Sequence, residues 1–327
     1  MKVKIVVSSY RSVNYPLRPA KSVERKILSD ILRRLEPFQR VENYRYIGLG
    51  SIYFTDFQLF HQLLGIDDMF SIEKDAFNWK RFEFNQPYRC INLKPGHSND
   101  VLPTLSWEKR CIVWMDYDSK LDKTVLADVA TFCTRARSGS VLLVSMNVEP
   151  ERKSGVSPRE GAEFRLDAFR RAVGYEKVPR DIEGSDLRSN MFARTCRRVI
   201  IDEISSCLAD RNAPLPTEEK LLFRQIALFT YADDAAMLTL GGLLVTKQEE
   251  PFFDKCAFDE LPFFRESDSS YAIKAPKFTP KELRHLNSML PRKPSRYPKV
   301  AGIPDEDIRD YATIYRYYPS FGEIVFG

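Results

Sequence analysis

The sequence predicts an α/β fold: a mostly parallel, seven-stranded sheet with an antiparallel C-terminal hairpin and helices on both faces, then a small, mainly helical C-terminal extension. Three observations carry this. Short apolar runs alternate with longer amphipathic segments from Tyr44 to Asn147, a pattern that demands right-handed crossovers and a sheet covered on both sides. The run Tyr44-Arg45-Tyr46-Ile47 ends on the glycine turn Gly48-Leu49-Gly50-Ser51, and a later run, Phe70-Ser71-Ile72, ends on the carboxylate Glu73. Far downstream, two apolar runs meet at Ala232-Asp233-Asp234-Ala235, which leaves no room for a crossover helix.

In chain order, the first element is an amphipathic helix over 21–36. Val23, Ile27, Leu28, Ile31, Leu32 and Leu35 share one stripe, with the basic residues elsewhere. Strands are expected at 44–48, 69–73, 90–93, 111–116 and 140–147, and helices at 54–64, 77–84, near 100–105, and at 120–137. Residues 149–161 are rich in Glu, Arg, Lys, Ser, Gly and Pro and read as a loop beside the strand ends. Helical segments at 161–173 and 187–209 make an insertion around 160–215, and 221–245 forms the hairpin that closes the sheet edge. Beyond 250 prolines multiply. The capping box Thr279-Pro280-Lys281-Glu282 opens a helix to Met289, and Pro304-Asp305-Glu306-Asp307 opens another toward Tyr317. Tyr311, Tyr315, Tyr317, Tyr318 and Phe321 cluster there and read as core. The expected organisation is a basic arm and helix over 1–43, a catalytic domain over 44–249, and a Pro- and aromatic-rich helical region over 250–327.

A chain of 327 residues with 43% hydrophobic content can bury a full core without staples. No run approaches the roughly 18 apolar residues that a membrane span needs, and the opening Met1 to Val7 is short for a secretion signal, so a cytoplasmic protein without a membrane partner is expected. Six scattered cysteines with no C-x-x-C pair, and only three histidines, point to free thiols rather than a metal centre or a disulfide framework. The net charge of +5 is mild, but eleven basic residues against four acids lie within the first 45 positions. Such an arm suits phosphates, and with Arg188, Arg194, Arg197 and Arg198 it suggests a nucleic-acid partner.

In a parallel sheet the ligand lies over the carboxyl ends of the strands. Gly48, Gly50 and Ser51 would let it approach the backbone, and Glu73 is spaced to accept two ribose hydroxyls. The apolar run Ile112-Val113-Trp114-Met115 stops at Asp116-Tyr117-Asp118-Ser119, which sets Asp116 and Asp118 over the same cleft, with an N-cap as the other role open to Asp118. His97 lies in a neighbouring loop, and Arg18 and Lys21 could close over a cofactor or a phosphate. This is a nucleoside-binding layout, compatible with a dinucleotide or with S-adenosylmethionine.

The set of motifs over roughly 20–246 resembles the S-adenosylmethionine-dependent methyltransferase superfamily with the Rossmann-like fold. The pattern looks like bacterial proteins labelled putative O-methyltransferases. It is similar in outline to the tRNA guanine dimethyltransferases through Tyr15-Pro16-Leu17-Arg18 and Asp116-Tyr117-Asp118-Ser119. The resemblance implies that Gly48 to Gly50 wrap the methionine part of S-adenosyl-L-methionine, that Glu73 holds the ribose, and that Asp100 stands near the adenine. It also implies that Asp116 to Ser119, including Tyr117, face the reacting methyl, with Asp116 and Asp118 as the catalytic pair. Three departures stand out: Tyr46 replaces the acid usual two residues before the first glycine, Gly96-His97-Ser98-Asn99 replaces the usual strand-three acid, and no Asx-Pro-Pro-aromatic loop is present. The function implied is methyl transfer, to a nucleic acid or else to a small molecule or protein. A non-catalytic nucleoside-binding subunit on the same fold is the competing reading, and a nicotinamide oxidoreductase would need parallel strands at 221–245.

Overall fold

The computed structural model describes residues 18–319, in which the predicted alternation becomes one eight-stranded sheet. Its elements are α1 (Pro19–Arg33), β1 (Arg45–Leu49), α2 (Thr55–Leu64), β2 (Asp68–Glu73), α3 (Trp79–Asn85), β3 (Ile91–Pro95), α4 (Ser98–Val101), β4 (Cys111–Asp116), α5 (Lys123–Arg135) and β5 (Val141–Asn147). They continue with α6 (Pro158–Val173), α7 (Ser189–Asn212), β6 (Leu221–Ala232), β7 (Ala236–Thr246), α8 (Glu250–Lys255), β8 (Tyr271–Ile273), α9 (Pro280–Met289) and α10 (Asp305–Ile314).

The strand order is β3-β2-β1-β4-β5-β7-β6-β8. The first five strands are mutually parallel, because each is joined to the next through a crossover. β7 then runs antiparallel to both β5 and β6, so the late hairpin is present as expected and parallel strands at 221–245 are excluded. It is not the edge, however. The short strand β8, absent from the sequence reading, pairs parallel to Phe229–Tyr231 of β6, and three residues leave little periodicity to read.

Apolar side chains alternate along the strands onto two cores. Trp114, Tyr46, Phe57 and Phe60 lie on the face covered by α1 and α2, while Val113, Met115, Phe132 and Ile200 lie on the face covered by α5 and α7. The aromatic run near the C-terminus packs as expected: Tyr311 is buried against Phe278, Tyr315 and Tyr318. Tyr317 reaches back to Asp30 on α1. Phe321 and residues 1–17 of the basic arm lie outside the described residues.

One helix departs from its expected orientation. The basic residues of α1 were expected outside the apolar stripe, yet Lys21, Glu24 and Arg25 are as buried as Val23 and Ile27. The helix is wedged between α2 on one flank and the hairpin on the other, so it has more than one buried side. Its N-terminus is capped from afar: Asp233, at the hairpin turn, accepts from Ala20 N at 2.9 Å and Lys21 N at 3.0 Å. Replacing Asp233 with Ala removes both acceptors and is expected to cost about 1–2 kcal/mol, as for a lost N-cap. Urea denaturation of Asp233→Ala checks this, and an unchanged midpoint would show that the cap contributes nothing.

Candidate active site

The carboxyl ends of β1, β2 and β4 lie side by side and make the floor of the candidate cleft, with the N-terminal part of α1 and the hairpin turn packed over β4 as its roof. Gly50 ends β1 by donating to Ile72 O at 3.0 Å. A Cβ on Gly50 would stand 1.8 Å from Glu73 Oε1 and 2.1 Å from Ser71 Oγ. The space a side chain would take is therefore occupied by the carboxyl of the next strand, so glycine here positions Glu73 as well as exposing the backbone. Gly48 is covered in the same way by the Tyr46 ring, whose hydroxyl lies 2.8 Å from where a Cβ would be. Ser51 follows in the turn and accepts from Tyr53 N.

Glu73 is 4% exposed and accepts from Ser71 Oγ at 3.2 Å. Burial, which the Ser71 bond only partly offsets, pushes its pKa up to about 8. The ribose acid of the sequence reading thus sits beside the glycine turn as a largely protonated carboxyl.

Across the floor, Lys21 is wholly buried. Its Nζ donates to Asp116 Oδ1 at 2.6 Å and to the Tyr231 hydroxyl at 3.1 Å, and stands 4.5 Å from the centre of the Trp114 ring. Glu24 Oε2 pairs with the same ammonium at 2.8 Å, off the axis for a hydrogen bond. The network continues inward through Glu24, Thr239 and Ser145 to Trp114 Nε1. Burial would raise the Asp116 pKa, but the Lys21 charge and hydrogen bond, with Arg25 and Arg18, outweigh it and hold the carboxyl below its usual range. Asp116 is consequently an ionised anchor with little basicity at neutral pH.

Tyr46, which stands where the resemblance would place an acid, is itself bonded to one. The Tyr46 hydroxyl donates to Asp56, in the first turn of α2, where a negative charge also suits the helix end. Burial raises the Asp56 pKa, against Arg25 and the Tyr46 hydrogen bond, which lower it. The turn leading into α2 holds Phe54 at φ 47°, left-handed for a bulky residue, so local strain accompanies the loop between Gly50 and Asp56. Two cations complete the roof. Arg18 and Arg25 are 6% and 5% exposed, each with a buried Nε lacking a hydrogen-bond partner among the described residues. Arg18 Nε lies 3.9 Å from Asp233.

Residues 13–326 match the model of a family described as putative O-methyltransferase. The chain belongs to that family. No curated protein matches it. Among solved structures it is similar to Trm1 from Pyrococcus horikoshii in complex with S-adenosyl-L-methionine, at 11% identity over 70% of this chain and 57% of that one, with a TM-score of 0.44. It is also similar to the O-methyltransferase TomG from Streptomyces achromogenes in complex with the same compound, at 14% identity over 67% and 78%, TM-score 0.36. The chain spans 43% of the LepI chain and 61% of the DesVI chain that it also matches.

The structure brings the remaining candidates of this O-methyltransferase family member to different places. Asp118 is exposed in the loop after β4, and the N-cap role open to it belongs to Asp122, which accepts from Thr124 N and Val125 N. Tyr117 turns back to donate to Asp128 on α5, and Asn99 donates to the other oxygen at 2.6 Å, so its hydroxyl ties two elements together. His97 and Asp100 are exposed around the start of α4, where Gly96 N donates to Glu73 O. All six cysteines are free. His61 packs on Tyr88 with Nδ1 3.0 Å from both Ile66 O and Asp67, and ligand atoms of His61, Asp67 and Cys90 lie within 4.8 Å of one another.

Asp56, Glu24, Arg25, Tyr231 and Asp233 were missed by the sequence reading. Only the pair Asp233-Asp234 at a tight turn carried any signal, because the others derive their roles from partners remote in the chain.

Two outcomes follow. Removing Lys21 strands the buried Glu24 and the part-buried Asp116, so Lys21→Met is expected to lose about 3 kcal/mol in chemical denaturation, and a loss below about 1 kcal/mol would refute the network's structural weight. Glu73 has a folded pKa raised from 4.5 to about 8, so the folded state holds the extra proton between those values. Its contribution is fully present below pH 4.5 and declines as pH rises to about 8. The melting temperature of Glu73→Gln relative to wild type should therefore climb across that window; parallel melting curves would contradict the buried, protonated carboxyl.

Proposed function

We propose that this protein transfers a methyl group from S-adenosyl-L-methionine to an oxygen of a small-molecule acceptor. The observation that carries the proposal is the pair of buried guanidinium Nε atoms of Arg18 and Arg25 that have no hydrogen-bond partner among the described residues, on the helix that packs beside Asp56 and the Gly50–Glu73 cradle. A carboxylate within hydrogen-bond distance is what those nitrogens lack, Asp233 standing 3.9 Å from Arg18, and a ribose diol is the group that Glu73 at a glycine turn is built to accept. Arg18 and Arg25 would hold the methionine carboxylate, Asp56 and Asp116 its ammonium, and Glu73 and Ser51 the ribose. When bound, the cofactor supplies an electrophilic methyl on a sulfonium.

The chain's own residues would do the rest by alignment, which can contribute several kcal/mol to lowering a barrier. Asp116, kept ionised by Lys21, accepts hydrogen bonds and orients without removing protons. Asp118, in the exposed loop after β4, accepts a hydrogen bond from the acceptor hydroxyl; as the O–CH3 bond forms and the S–CH3 bond breaks, S-adenosylhomocysteine leaves and the hydroxyl proton passes by way of Asp118 to solvent.

A small acceptor is favoured over a nucleic acid because the following basic residues, all within the described part of the first 45 positions, are either buried or paired with acids of this chain. Arg18, Lys21 and Arg25 are buried, and Arg33, Arg34, Arg40 and Arg45 pair with Asp30, Glu260, Glu42 and Asp68. Arg197 and Arg198 likewise engage Gln225 and Asp181. No helix among the described residues is long and apolar enough to cross a membrane.

Calorimetric titration with S-adenosyl-L-methionine tests the first step, and an absence of binding would overturn the proposal. Transfer of radiolabelled methyl into separated metabolite, RNA, DNA and protein fractions then tests the acceptor, with label expected among metabolites. Because the ionised Glu73 is the better acceptor for two hydroxyls, cofactor affinity should rise with pH and level off above about 8. Glu73→Gln should bind more weakly and without that slope; a wild-type affinity that falls with pH would remove Glu73 from the ribose site.

A further inference from the structure

The insertion after β5 carries a cation that the proposed reaction leaves unused. Arg165, on α6, donates from Nε to Gly184 O at 3.2 Å, while its Nη2 is buried with no hydrogen-bond partner among the described residues. A guanidinium N–H left unpaired away from water is costly, so an acceptor atom belongs beside it. Arg165 lines a cavity of about 90 Å³ with Lys120, Glu151, Phe169, Leu187 and Phe192. Lys120 belongs to the loop leaving β4 and Glu151 to the loop leaving β5, so the cavity lies toward the carboxyl ends of these two strands. Its remaining wall is apolar, from α6, α7 and the segment between them.

The charges there are unbalanced. Lys120 pairs with Glu151 at 2.7 Å, but no salt bridge to Arg165 or Arg188 occurs among the described residues. Burial, and then the charge of Arg188, press the Arg165 guanidinium below its usual pKa.

We infer that this cavity is a subsite for a carboxylate carried on an apolar or aromatic frame, held by Arg165. A carboxylate suits it better than a phosphate dianion because one unpaired N–H edge is available and Glu151 stands at the same wall. The inference deepens the methyltransferase reading and rests on it for the claim that the occupant is the methyl acceptor.

The full chain is titrated with benzoate, benzamide and phenyl phosphate by ligand-observed NMR and calorimetry, with S-adenosylhomocysteine as a separate arm. Benzoate is expected to bind more tightly than benzamide or phenyl phosphate, and Arg165→Gln to weaken benzoate roughly tenfold while leaving S-adenosylhomocysteine unchanged. Equal binding of benzoate and benzamide, no benzoate binding, or an unaltered Arg165→Gln would overturn the subsite, and tighter binding of phenyl phosphate would overturn the choice of carboxylate. The wild-type comparison needs no variant to fold. Benzoate binding without S-adenosylhomocysteine binding would sink the methyltransferase reading and leave the subsite standing; the reverse would sink the subsite alone.

Discussion

The rest of the structure depends on one buried ion network, the Lys21 ammonium held between Glu24 and Asp116. It fastens α1 to β4 within the apolar cluster on that face of the sheet, and through Thr239 and Ser145 it reaches strands β7 and β5. Apolar packing alone would hold the helix against the sheet, but it would not fix its rotation. A lysine with a carboxylate on either side does, because any other rotation leaves a charge buried and unpaired. The same rotation brings Arg18 and Arg25 into the roof of the cleft. Docking the helix and furnishing the site are thus a single event.

The opposite end of the cleft works by a complementary logic. Glu73 is buried where glycine makes room for it, and its environment favours the neutral form. A group that folds protonated and would work ionised sets stability against function, with the conflict confined to one side chain and one pH window. The cluster around Tyr46 resolves a similar tension differently. An acid is absent from β1, but the tyrosine that stands there borrows one from α2, and the short segment between Gly50 and Asp56 takes up the strain at Phe54.

Much of the fold was legible because its evidence is local. The strands at 45–49, 68–73, 111–116 and 141–147 lie within a residue or so of where apolar periodicity places them, since burial on both faces leaves continuous apolar runs. The capping box at Thr279 reads directly, because both partners lie within four residues. β8 did not read, having three residues, and neither did the bond from the Tyr117 hydroxyl to Asp128 on α5, which depends on how that helix packs.

The sequence by itself determined the alternation of elements, the hairpin, the glycine turn and the acids that end β2 and β4, all of which follow from side-chain periodicity and near neighbours. Only the tertiary structure decided which charges face inward. Lys21 meets Asp116 across 95 positions of chain, and Glu24 meets Thr239 across 215. A lysine or arginine on a helix reads as solvent-facing until a remote carboxylate is known to lie opposite it, because burial is favourable only once the partner is in place. The basic residues of α1 therefore read as lying outside its apolar stripe, whereas Lys21 and Arg25 are buried with it.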